Sequence, residues 1–61
     1  MRITLERQVE LEELIKSKGE WKAFKARIGF LHRLYRAATL SEAQYLYEHS
    51  RSTLAFAGER A

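Results

Sequence analysis

An all-α fold, a small bundle of three helices, is what this 61-residue sequence predicts, on three observations. There is no proline and there are only three glycines, and the Ala, Leu, Glu, Lys and Arg that fill the chain favour helix almost throughout. Apolar residues recur at spacings of three and four, and residue-by-residue alternation is confined to Ile3 and Leu5, which argues against strands. Hydrophobic residues make up 46% of the chain, with three Phe, three Tyr and one Trp, too rich a mixture for a disordered segment.

The length allows one domain, residues 1–61, with a small core and marginal stability. Small scaffolds commonly need disulfides, a metal or self-association. With no cysteine, disulfides and thiolate metal sites are excluded. A homodimer is therefore the expectation.

The first helix is expected over residues 4–17. Thr4 suits an N-cap, and Glu6, Glu10, Glu12 and Glu13 precede Lys16 and Lys18, the order the helix dipole favours. Glu12 and Lys16 form an i,i+4 pair. Gly19 is available for a left-handed C-cap. The apolar residues Ile3, Leu5, Val9, Leu11, Leu14 and Ile15 spread over well over half of the helix circumference. Such a helix is usually contacted on two sides, and in so short a chain the second neighbour can be another copy of itself.

The second helix is expected over residues 20–38. Trp21, Phe24, Ile28, Leu31, Leu34, Tyr35 and Ala38 form one apolar face, and Lys22, Lys25, His32, Arg33 and Arg36 lie opposite. The third is expected over residues 41–56. The segment between them, RLYRAATLSEAQYLYEH, has neither Gly nor Pro to stop a helix. Continued through residue 57, a single helix would keep Ala38, Tyr45, His49 and Phe56 on its buried face, and the fold would become a two-helix hairpin. The stronger apolar stripe, Leu40, Ala43, Tyr47, Leu54 and Ala57, lies roughly 150° away around the helix. Two capping boxes, Thr39-x-x-Glu42 and Ser41-x-x-Gln44, stand where the stripe changes sides. A break at residues 39–41 is the preferred reading. The last four residues, 58–61, are expected to fray.

Charge is the sharpest functional signal. The net charge is only +3, but Lys22, Lys25, Arg27, Arg33 and Arg36 face the single acid Glu20 between residues 20 and 38, a local balance of +4. Lys22, Lys25, Arg33 and Arg36 stand at −7, −4, +4 and +7 around Gly29. A glycine inside an exposed helix costs about 1 kcal/mol relative to alanine, so its place amid the cations suggests close approach of a partner. An acidic protein surface or a nucleic-acid backbone would suit this face, and a merely solvated face is the plain alternative. Residues 20–57 could also form a helix-turn-helix, but that would leave the charge on the wrong helix. Phe30, Tyr45 and Phe56 lie off the main stripes, and exposed together they would mark an interface.

Catalytic chemistry is not expected. Ser41, Ser50 and Ser52 lack a visible base and orienting group, and neither His32 nor His49 has the spacing of a catalytic or metal pair. His32 is expected at the edge of the basic face and His49 among packing aromatics. No cofactor and no metal is implied. The longest apolar runs are far too short to span a membrane. The opening residues, MRITLERQVELEE, have no apolar core of secretory-leader length, so a cytoplasmic location is expected.

FLHRLYR at 30–36, preceded by ITLE at 3–6, resembles the phycobilisome-degradation proteins that fold as helical hairpins. LYRAA at 34–38 resembles the Hha-type nucleoid modulators, and RSTLAFAGE at 51–59 is similar to the end of the plasmid Rop proteins. These families are unrelated and each match covers only a few residues, so the chain is assigned to none of them. The sequence reads as a small non-catalytic regulator or adaptor, of a kind compatible with a phage or plasmid origin. It would bind a protein partner through Lys22, Lys25, Gly29, Phe30, His32, Arg33, Arg36 and Tyr45. The alternative is nucleic-acid binding by the same basic face.

Overall fold

A computed structural model describes residues 3–58, which form three helices: α1 (Leu5–Ser17), α2 (Trp21–Arg36) and α3 (Glu42–Ala57). Each lies within two residues of its expected bounds. The expected cap residues carry the ends of α1. The Thr4 hydroxyl accepts the Arg7 N–H at 3.1 Å. At the other end Gly19, at φ +76°, donates to the Lys16 carbonyl while Glu20 donates to that of Ile15. This is the paired closure of a left-handed C-terminal cap. Lys16 reaches Glu13 rather than the expected Glu12, and its ammonium sits 4.6 Å from the centre of the Trp21 ring. Glu12 instead accepts the Gln8 side-chain amide.

The break between α2 and α3 is real, so the continuous two-helix hairpin is not formed. It is made without glycine. Ala38 adopts φ +61° and donates to Tyr35, Thr39 donates to Leu34, and α2 closes with the same paired cap as α1. Ser41 then caps α3 by accepting the Gln44 N–H at 3.1 Å. The other expected box does not form, because the Thr39 hydroxyl turns back and donates to the Leu34 carbonyl. Gly58 is the left-handed cap of α3 at φ +83°, not part of a frayed tail. Residues 59–61 of that expected tail lie outside the described residues.

Helix α3 packs against both others, which touch one another less. It runs antiparallel to α2: Phe24 meets His49 and Phe56, and Tyr35 stacks on Tyr45 with ring centres 5.1 Å apart. The core is Leu11, Ile15, Phe24 and Ala57, with Ile3, Trp21, Ile28, Leu54 and Phe56 packed on it. Leu31 is buried as well.

The buried face of α3 corrects the sequence expectation. Tyr45, His49 and Phe56 turn inward, although the helix does break, while Ala43 and Tyr47 of the stronger stripe are exposed and its Leu54 and Ala57 are packed. Two neighbours explain the division. The C-terminal half of α3 is held by α1 as well as α2, through Gln8 on Thr53 and Lys18 on the Phe56 carbonyl. Thr53 is wholly buried. Its hydroxyl accepts from Gln8 at 3.0 Å and donates to the His49 carbonyl at 2.9 Å, which satisfies a polar group where an apolar pattern predicts none. The Lys18 ammonium, 2.8 Å from the Phe56 carbonyl, compensates the negative end of α3.

Candidate partner-binding face

The expected site residues lie mostly on the outer surface of α2. With Phe24, Ile28 and Leu31 turned to the core, a repeat of 3.6 residues per turn aims Lys22, Lys25, Gly29, Arg33 and Arg36 at solvent on the opposite side. All five are exposed. The helix contains no acidic residue. Arg33 and Arg36 lie in its last turn, where cations complement the dipole, but Lys22 lies in the first turn, where a cation opposes it.

Ion pairing separates this helix from the other described residues. Elsewhere Arg7 pairs with Glu10, Lys16 with Glu13, Lys18 with Glu20 and Arg51 with Glu48. None of the five cations of α2 makes an ion pair with a carboxylate among the described residues. Gly29 has open space where a Cβ would stand, so the fold has no need of glycine there.

The remaining expected site residues divide. Phe30 is 48% exposed and borders the basic face, with the Arg27 guanidinium 5.7 Å from its ring centre. His32 is exposed but leans toward α3, its ring 6.2 Å from that of Tyr45. Tyr45 is half-buried between Tyr35 and His49, and Phe56 is half-buried against Phe24. The expected patch of exposed Phe30, Tyr45 and Phe56 is therefore not assembled. Only Phe30 flanks the cations.

Sequence reasoning left one neighbouring feature unseen. A shallow groove of about 270 Å³ runs between α2 and α3, lined by Arg27, Glu48, Arg51, Ser52, Ala55 and Phe56. Its walls come from two helices far apart in sequence, so only their packing creates it. The charges are mixed, with Arg51 lying 3.8 Å from Glu48.

Among the described residues, no three His, Cys, Asp or Glu side chains come together as a metal site. No helix among them is long and apolar enough to cross a membrane. A helix-turn-helix does not describe residues 20–57, because α2 and α3 pack along their lengths as an antiparallel pair. No protein-family model matches the sequence, and no curated protein or solved structure shows significant similarity to it.

Proposed function

We propose that this protein is a non-catalytic helical regulator or adaptor that binds an acidic protein surface through the outer face of α2. The observation that carries the reading is the absence of ion pairs from that one helix. Every described lysine and arginine outside α2 has a carboxylate partner, and none of the five on α2 has one among the described residues. Unneutralised cations on one face repel each other and lower stability, most of all Lys22 at the positive end of its helix. A partner that supplies carboxylates removes that cost and steers the encounter. Gly29 leaves the middle of the face low enough for a partner's backbone to approach, and Phe30 adds an aromatic contact of the kind that anchors interfaces.

A second reading, nucleic-acid binding, is favoured by the linear array itself. Lys22 to Arg36 spans roughly 21 Å of helix, from the 1.5 Å rise per residue, with no carboxylate to repel phosphates.

The test is titration of fluorescent poly-L-glutamate and of a random DNA duplex, each from low to physiological salt. The acidic-protein reading expects poly-L-glutamate to bind, Lys25→Glu with Arg33→Glu to abolish binding, and Phe30→Ala to weaken it at every salt concentration. Preferential duplex binding, with a steep salt slope and no effect of Phe30→Ala, would move the nucleic-acid reading to first place. Binding of neither polymer at low salt would leave α2 as a solvated face and refute both.

A further inference from the structure

We infer that a second copy of this chain is itself an acidic partner for α2: the outer face of α1 in one molecule docks on the outer face of α2 in another. The inference rests on the reading of α2 as an acid-docking face, and two further observations carry it. The first is apolar surface that the fold leaves uncovered on α1. Leu5 is 79% exposed and Val9 51%, the largest values among the large hydrophobic side chains of the described residues. The second is charge. Glu6, Glu10 and Glu13 follow one another at spacings of four and three on the exposed side of α1, away from buried Leu11 and Ile15.

Charge also decides which contact can form. Packing α1 on α1 would set these carboxylates against their own copies, and packing the outer face of α2 on itself would set Lys22, Lys25, Arg33 and Arg36 against their own copies. Like charges brought together across an interface cost several kcal/mol. Only α1 on α2 places carboxylates against cations, with Leu5 and Val9 available to Phe30. Among the described residues, Glu10 pairs with Arg7 at 3.7 Å and Glu13 with Lys16 at 3.5 Å, both exposed, and such pairs exchange partners at little cost. A two-fold axis lets both α1–α2 contacts form at once in a closed dimer, whereas head-to-tail addition leaves a free face at each end. Self-association then covers the α2 face, so a foreign acidic partner competes with the second copy for it.

Sedimentation velocity across a protein and salt titration tests this, with circular dichroism confirming that each variant remains folded. The wild type is expected to associate at low salt and to return to monomer as salt rises. Glu6→Lys with Glu10→Lys, and separately Lys25→Glu with Arg33→Glu, should each remain monomeric where the wild type associates. An equimolar mixture of the two variants should associate again, because each then meets an opposite charge. Wild type that stays monomeric at low salt and high concentration overturns the inference without need of any variant. Association that survives reversal of α1 overturns it too, since it points to an interface elsewhere. Poly-L-glutamate binding by a protein that never self-associates refutes this inference and leaves the proposed function standing, whereas loss of both refutes the two together.

Discussion

Replacing Ala38 by glycine should stabilise the protein, although the substitution removes a good helix former from a helix-rich segment. Ala38 holds φ +61° where α2 closes. A left-handed conformation costs an L-residue roughly 1–2 kcal/mol, and glycine escapes that penalty. Glycine also loses more backbone freedom on folding, which returns about 0.4–1 kcal/mol of the gain. The net expectation is a stabilisation of about 0.5–1 kcal/mol. For a domain of this size that corresponds to a rise in Tm of about 2–8 °C. Urea unfolding followed by the fluorescence of Trp21, the only tryptophan, gives the free energy, and thermal melting at 222 nm gives Tm. The sign is diagnostic. Were α2 and α3 one continuous helix, glycine at residue 38 would sit in a helix interior and destabilise by about 1 kcal/mol. Destabilisation of that size by Ala38→Gly would refute the break and, with it, the antiparallel pairing of α2 and α3.

Three other substitutions probe separate links between sequence and function. Gly29→Ala meets open space, so it should raise stability by about 1 kcal/mol in urea unfolding while lowering affinity for the acidic probe. Unchanged affinity would show that nothing approaches the backbone there. Lys22→Glu places an acid in the first turn of α2 and should stabilise by about 0.3–1 kcal/mol at low salt while weakening binding, a split between thermal melting and titration that a purely structural lysine would not produce. Thr53→Val keeps the shape of a fully buried side chain but removes the hydroxyl that joins Gln8 to the His49 carbonyl, and should cost about 1–2 kcal/mol by chemical denaturation. A neutral result would mean that the Gln8–Thr53 bond does not help to hold α1 on α3.

Local sequence chemistry sets the three helices and most of their ends. Caps and periodicity are local: a Thr4 or Ser41 hydroxyl satisfies an N–H three residues away, and Gly19 supplies its left-handed turn with no tertiary help. It also determined the basic face of α2, since the residues that bury Phe24 and Leu31 must turn Lys22, Lys25 and Arg33 outward. Tertiary structure decided which side of α3 is buried. Periodicity ranks residues by apolarity, whereas packing against two helices at once buried Ser52 and Thr53, half-buried His49 and left Tyr47 outside. It also ended α2 at an alanine, a conformation that local propensity disfavours and that the packing of α3 back along α2 sustains. Most important for the proposed function, it decided which charges are paired. The sequence places bases and acids along the chain, but whether a cation finds a carboxylate depends on distances that only the folded helices set, and on α2 those distances leave all five cations without one among the described residues.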